Sequence, residues 1–366
     1  MKARTDRKTL VTAIRDVSMA LKVRPVKEYE ECIFVCVDDS GLTLIATNGE
    51  QRIRETIECD ALEHGTALVN GRMFGALVNK MDVDEIVHME SDGKQLKLRV
   101  ATQTARMTEI PDDGFPGETG IDNPNVISVT GGDLATALNG VRYATAKEMT
   151  RLLLTGVLME FTNGKMFTVA LDGYRMAAYR KNCEHKSNGR YVTPGVVATM
   201  AAMFAEDTEL VEIRAGGGRI KFDFGNIQLD SILYSGNFPD WKNIVPQEFR
   251  AAGKVSKDEL LGAAELASVA TSKSYAIRTD FSESGIHMTA NGDTSGTEQD
   301  IEAEMWLSSD GPFKAAYNAA YIIDALKAVS ASEVQFKAAD ETKPAVITPV
   351  EGNEFLMLVL PVRVHY

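Results

Sequence analysis

The stretch VALDGYRMA, Val169 to Ala177, sets an Asp-Gly pair between two apolar runs and follows it with Tyr174, Arg175 and Met176. Asp-Gly in that setting signals a β-hairpin, because a type I′ turn needs positive φ at both central positions. Asp172 beside Arg175 also admits a reading as an acid in a site, and the nine residues alone leave both open. The pattern recurs. Asn48-Gly49 lies in IATNGEQ and Asn291-Gly292 in MTANGDT, 124 and 119 residues away from Asp172-Gly173.

Independent markers keep the same period. Phe115-Pro116 and Phe238-Pro239 are 123 residues apart, and one third of the 366-residue chain is 122. Leu10, Ala13, Ile14 and Val17 recur as Leu134, Ala137, Leu138 and Val141, then as Leu260, Ala263, Ala264 and Ala267. Each set has the i, i+3, i+4, i+7 spacing of a buried helix face. Asp6, Thr130 and Ser256 stand four residues before the leading leucines as N-cap candidates, the last with Glu259 in capping-box position. A second helix per repeat is predicted in GRMFGALVNKM, PGVVATMAAMF and NAAYIIDALKAV, starting near 71, 194 and 318. Alternating strand patterns follow each, as in EIVHMES with KQLKLRV, ELVEIRA with RIKFDFG, and EVQFKAA before PAVITPV. A period this long exceeds that of solenoid repeats, so each repeat is expected to be an α+β domain with its own core. The expected boundaries are 1–123, 124–248 and 249–366.

Hydrophobic content of 44% and charged content of 25% are those of an ordinary globular protein. The opening MKARTDRKTLV lacks the apolar stretch of a signal peptide, and FLMLVL, at 355–360, is far short of a membrane span. A cytoplasmic protein without a membrane partner is expected. Cys32, Cys36, Cys59 and Cys183 are too few for a disulfide framework; no Cys/His pairing completes a zinc site, and buried free thiols are expected. No phosphate-binding Gly-rich loop, H-E-x-x-H or G-x-S-x-G occurs, so no cofactor, metal or catalytic group is expected. Cys183-Glu184-His185 reads as part of a polar loop rather than as a nucleophile beside its base. A hydrolase using Asp172 and His185 is the enzyme alternative, and a peptide-binding scaffold that never encircles DNA is the other. Net charge of −13 speaks against nucleic acid as a partner, but distribution matters more than the sum.

The repeat, together with RLLLTGVLMEF (151–161), ALDGYRMA (170–177), GNFPDW with IVP (236–246), NAAYIIDALKAV (318–329) and LVLPVR (358–363), resembles the bacterial DNA polymerase III beta subunit, the DNA sliding clamp. The resemblance spans the chain. It implies three similar DNA-clamp domains, each with two helices on antiparallel sheets, in a head-to-tail homodimeric ring around duplex DNA. An edge strand of the first domain would pair with one of the third to close the ring. It also implies partners: the DNA polymerase III alpha subunit, an ATP-dependent clamp loader and other proteins carrying a clamp-binding motif. Helices would line the bore, placing Lys22, Arg24, Lys147 and Lys273 near DNA, although helix ends favour such cations in any case.

By the same resemblance a partner peptide enters a cleft bordered by Leu154, Leu171, Gly173, Tyr174, Arg175, Met176, Pro239, Asn243, Ile244, Tyr321, Pro344, Leu358, Leu360, Pro361, Val362 and Arg363. Met176, Leu360 and Val362 are expected as its apolar floor and Arg175 with Arg363 at its polar edge. Core packing is the alternative for Leu154 and Leu171. Asp172 then turns the chain and catalyses nothing. Asn243 stands where relatives often carry a basic residue, Val364-His365-Tyr366 extend the tail, and the helix at 194–204 has no Lys or Arg.

Overall fold

The computed structural model describes residues 1–82, 85–271, 275–352 and 354–363. Lys273 and the Val364-His365-Tyr366 tail lie outside them.

The period emerges as three successive runs of the same elements. In the first, β1 (Lys2–Asp6) and α1 (Arg7–Ser18) precede β2 (Cys32–Asp38), β3 (Gly41–Thr47), β4 (Gln51–Ile57), β5 (Asp60–Glu63) and β6 (Gly65–Asn70). It closes with α2 (Gly71–Lys80), β7 (Ile86–Ser91), β8 (Gln95–Val100) and β9 (Gln103–Thr108). The second has β10 (Asn125–Thr130), α3 (Gly131–Arg142), β11 (Gly156–Thr162), β12 (Lys165–Leu171), β13 (Arg175–Asn182), β14 (Glu184–His185) and β15 (Gly189–Pro194). After these come α4 (Gly195–Ala205), β16 (Leu210–Gly216), β17 (Arg219–Asp223) and β18 (Ile227–Ile232). The third has β19 (Ala251–Ser256), α5 (Lys257–Ala270), β20 (Ala276–Ser282), β21 (Gly285–Asn291), β22 (Gly296–Glu302), β23 (Met305–Leu307) and β24 (Phe313–Asn318). It ends in α6 (Ala319–Lys327), β25 (Glu333–Ala338), β26 (Ala345–Pro349) and β27 (Phe355–Val359).

Every apolar position expected on the first helix of each repeat is buried, from Leu10 to Ala267. Asp6 caps α1 by accepting the Thr9 amide at 2.8 Å, which also holds its carboxyl below the usual range; Ser256 caps α5 through the Glu259 amide at 3.4 Å. Thr130 directly precedes α3.

By packing, the chain divides into two compact units, Met1–Gly132 with Met203–Leu233, and Asp133–Ala202 with the chain from Tyr234 onward. The reason is that sheets run across the repeat boundaries. In the first unit β18 pairs with β4, Leu229 opposite Ile53, so β10-β16-β17-β18 and β4-β3-β2-β6 form one sheet; β5-β1-β7-β8-β9 form another. In the second unit β27 pairs with β13, Met357 opposite Ala177, in the order β15-β11-β12-β13-β27-β26-β25-β19-β23, while β22-β21-β20-β24 stand apart. The described pairings are antiparallel, and alternate side chains point into the cores as a pleated strand requires.

The hairpin turns differ from expectation in one respect. Asp172 Oδ1 accepts the amides of Tyr174 and Arg175 at 2.8 and 3.0 Å, and Asp172 N–H donates to Arg175 O at 3.2 Å. Asn48 repeats the arrangement with Glu50 and Gln51 at 3.0 and 2.9 Å. These are Asx turns, in which the side chain takes the amides that a type I′ turn leaves to the backbone. Accordingly only the glycine is left-handed, with φ of 88° at Gly49 and 95° at Gly173. At the third expected turn neither Asn291 nor Gly292 has positive φ, and positive φ at two successive positions occurs instead at Asn163 (51°) and Gly164 (71°), between β11 and β12, and at Gly217 (57°) and Gly218 (76°), between β16 and β17.

Of the four free cysteines only Cys32 is buried; Cys36, Cys59 and Cys183 are half-buried. Glu184 and His185 form the short strand β14 rather than a loop, and His185 Nε2 accepts the Gly164 amide at 3.0 Å.

Candidate partner-binding groove

The strands β12 and β13 bring Leu171 opposite Met176 and leave the turn 172–174 projecting at the end of the sheet. Both carboxylate oxygens of Asp172 are taken locally, Oδ2 by Arg175 Nε at 3.1 Å, which agrees with a turn-forming role. Arg175 fans its guanidinium over three acceptors. Besides Asp172 it donates to Asp324 Oδ2 on α6 at 2.5 Å and to the Tyr143 carbonyl, just past α3, at 2.7 Å. The guanidinium also lies over the Tyr321 ring at 4.5 Å and the Tyr143 ring at 5.3 Å, a double cation–π arrangement. Burial pushes the Tyr143 phenol well above its usual range, and burial followed by the charge of Asp172 raises that of Tyr321.

A groove of about 620 Å³ opens beside this clasp. One wall is Asp172, Gly173, Tyr174 and Arg175 with Tyr321; the other is the segment from Thr145 to Arg151. Tyr174 is 65% exposed at its rim, whereas the Arg175 side chain is 7% exposed and forms part of the frame. The sequence pointed to the hairpin wall but not to the opposite one. Lys147, expected near DNA, lines this groove, and next to it Met149 and Leu152 are exposed apolar side chains; Met149, set among Lys147, Glu148, Thr150 and Arg151, is a signal that the sequence did carry.

The remaining expected residues fall into three groups. Leu154, Leu171, Met176 and Leu358 belong to one buried cluster with Val346, Phe238 and Trp241, so core packing claims Met176 and Leu358 as well as the two leucines for which it was the alternative. Pro344 is buried next to β26. Pro239, Asn243 and Ile244 are exposed around the helical turn Trp241–Ile244, and Asn243 Nδ2 donates to Asp240 at 2.8 Å. The C-terminal segment Leu360, Pro361 and Val362 is half-buried: Leu360 N–H donates to Tyr174 O at 2.8 Å and Val362 N–H to Ala316 O at 2.7 Å, with Pro361 bridged to Tyr317. Arg363 is exposed. Thus Gly173, Tyr174, Arg175 and Tyr321 meet in the groove, and the rest support or flank it.

Of the cations expected near DNA, Lys22 is held by Glu30 at 2.7 Å, an ion pair that lowers the Glu30 carboxyl to about 2, while Arg24 is exposed.

Models of the DNA polymerase III beta subunit match the chain in three parts, the N-terminal domain at 1–116, the central domain at 128–240 and the C-terminal domain at 242–363. The beta sliding clamp of Vibrio cholerae is 22% identical over 370 residues, covering 99% of this chain and 100% of that protein. That of Synechococcus elongatus is 23% identical over 371 residues, covering 97% of each. The crystal structure of the DNA polymerase sliding clamp from Bacillus subtilis superposes with a TM-score of 0.94 at 20% identity over 100% of both chains. With its threefold run of elements, its shared sheets and all three domain models in order, the chain belongs to the DNA polymerase III beta subunit family.

Proposed function

We propose that the chain is a DNA sliding clamp of three domains, 1–123, 124–248 and 249–366, working as a head-to-tail homodimeric ring around duplex DNA. In this reading it tethers the DNA polymerase III alpha subunit for processive replication, is loaded by an ATP-dependent clamp loader, and catalyses nothing itself. The groove beside Tyr174 takes the short peptide segment through which polymerase, loader and other partners attach. A cytoplasmic location belongs to the same reading, and no helix among the described residues is long and apolar enough to cross a membrane.

The pattern of sheet edges carries the ring. The ninth strand of the second repeat, β18, pairs with the fourth of the first, β4; the ninth of the third, β27, pairs with the fourth of the second, β13. The same rule leaves β9 and β22, and each stands at the end of its sheet. Two copies supply both halves of two such joints, which is the requirement for a heterologous contact that closes. The register also transfers. Gln51 faces Ser231 and Arg175 faces Val359; Ser295 and Met107 hold the corresponding places, Met107 facing Leu96 as Ser231 faces Ile220. Arg106 then lies opposite Gly296 of a second copy, and Thr104 opposite its Glu298. Exposed Glu298, Asp300 and Glu302 on β22 complement the cation on β9.

Mass measurement is expected to give a dimer, with Arg106→Glu and Glu298→Arg each weakening it and the two together restoring it. Protein loaded on nicked circular DNA is expected to survive high salt and to leave when the circle is cut, whereas an electrostatic binder leaves with salt in either case. A strictly monomeric particle at micromolar concentration would overturn the ring.

A further inference from the structure

The five-stranded sheet of the first unit turns one face to its core, through Ala3, Val87, Met89, Leu96 and Leu98, and the other outward. On the outward face β1, β7 and β8 bring Arg4, His88 and Arg99 directly opposite one another in a single cross-strand row. The neighbouring row is Lys2, Glu90, Lys97 and Arg106. Lys2 pairs with Glu90 at 3.2 Å, but Arg4, Lys97, Arg99 and Arg106 have no ion-pair partner among the described residues. Lys97 and Arg106 stand directly opposite one another, an arrangement that destabilises a sheet, while Arg4 and Arg99 flank His88 from the two neighbouring strands and Asp60 on β5 is the acid opposite Arg4. These cations stand on a chain whose net charge is −13, where acidic neighbours are plentiful. Burial, and then the charges of Arg4 and Arg99, hold the His88 imidazole below its usual range. Arg4, His88, Lys97 and Arg99 surround a depression of about 110 Å³ together with the Lys2–Glu90 pair and Leu62, which is 50% exposed; Ile86, 47% exposed, extends the outward face along β7.

We propose that this face is a docking surface for an extended acidic segment of a partner protein, its carboxylates meeting Arg4, Lys97 and Arg99 and an apolar side chain resting on Leu62. The guanidinium fork matches a carboxylate through two parallel hydrogen bonds, and clusters of arginine are a recurrent reader of acidic motifs. A single nucleic-acid strand fits less well. Such strands bind where cations alternate with aromatic platforms for the bases, and the depression is lined by no Phe, Tyr or Trp, only by the single imidazole of His88, while offering the aliphatic Leu62. The surface is separate from the Tyr174 groove, which lies in the other unit, and Arg4 and Arg99 are not on the β9 edge.

The test uses the full-length protein and a fluorescein-labelled peptide of glutamate and aspartate interrupted by leucine, titrated by anisotropy beside an oligothymidylate of equal charge. The peptide is expected to bind wild type, to lose roughly tenfold or more in affinity on Arg4→Ser with Arg99→Ser, and to weaken severalfold on Leu62→Ser. Thermal unfolding of the double variant is expected close to the wild-type midpoint, because neither arginine makes an ion pair among the described residues and both lie on the outward face. Arg4→Lys with Arg99→Lys, which keeps the charge, is expected to retain part of the binding. Failure of the peptide to bind wild type, or equal binding to wild type and the double variant, overturns the proposal. Tighter binding of the oligothymidylate with the same dependence on Arg4 and Arg99 also overturns it and makes the face a nucleic-acid surface.

Discussion

Arg175 donates from Nη1 to Asp324 Oδ2 at 2.5 Å, tying the Asp-Gly hairpin to a helix 149 residues further along the chain. Removing the buried guanidinium strands Asp172, whose side chain is 13% exposed, and the Tyr143 carbonyl at once and empties the space over the Tyr143 and Tyr321 rings, so Arg175→Ala is expected to cost roughly 3–5 kcal/mol. Asp324 is 43% exposed and water can replace its partner, so Asp324→Asn is expected to cost less than about 1 kcal/mol. Urea unfolding of the two variants decides it; a cost for Arg175→Ala no larger than that for Asp324→Asn would show that the clasp does not hold the groove.

Asp172 and Asn48 perform the same turn with different chemistry, since both offer one side-chain oxygen to two amides. Asp172→Asn is therefore expected to keep the hairpin and lose only the contact with Arg175 Nε, whereas Asp172→Ala leaves two amides without an acceptor and costs about 1–2 kcal/mol. Equal losses for the two substitutions would put the stability in the ion pair instead of the turn.

The positions of the hairpin turns, the helix faces and the succession of helices and strands were legible because they depend on periods of 3.6 and 2 and on local caps, which a single repeat displays and three repeats confirm, whereas the turn type and the order of strands in the sheets were not. The inner apolar residues of the candidate site were legible as apolar but not as core or surface. Met176 and Tyr174 sit two positions apart, on strand and turn, and only the pairing of β13 with β27 buries one and leaves the other at the rim. The Thr145–Arg151 wall was missed because it is a loop running into a kinked 3-10 stretch, Met149–Thr155, which shows neither the 3.6 nor the 2 period. Lys147 was assigned by its distance from a helix, and distance along a chain says little once the helix has ended.

Met176 is 2% exposed in the apolar cluster, so Met176→Ala is expected to cost roughly 2–5 kcal/mol of stability and to say little about binding. Tyr174→Ala is the cleaner probe. It is expected to leave the unfolding midpoint within about 0.5 kcal/mol of wild type and to weaken a Leu/Phe-bearing partner peptide by roughly tenfold or more. Wild-type peptide affinity in the Tyr174 variant would move the peptide site away from this groove.

Glu55 on β4 is 3% exposed, with Oε2 lacking a hydrogen-bond partner, and burial followed by the charge of Asp16 raises its carboxyl from 4.5 to about 7, Arg15 opposing. The folded state thus keeps a proton that the unfolded chain gives up, and this residue makes stability fall as pH rises between those two values. Glu55→Gln is expected to add little near the lower value and roughly 1–3 kcal/mol above the higher one. Denaturant midpoints measured across that range check it, and a gain independent of pH would mean that Glu55 is already neutral or already paired.

The pairing of β18 with β4 and of β27 with β13 bears on any attempt to cut the gene for this chain into thirds. A fragment ending at a repeat boundary would carry a raw strand edge several residues long where its neighbour was torn away, and such edges recruit one another into aggregates. Fragments joined by a shared sheet are the smallest pieces with a prospect of staying in solution, and in the intact chain β9 and β22 are the ninth and fourth strands that stand at sheet ends, where their counterparts are paired across a repeat boundary.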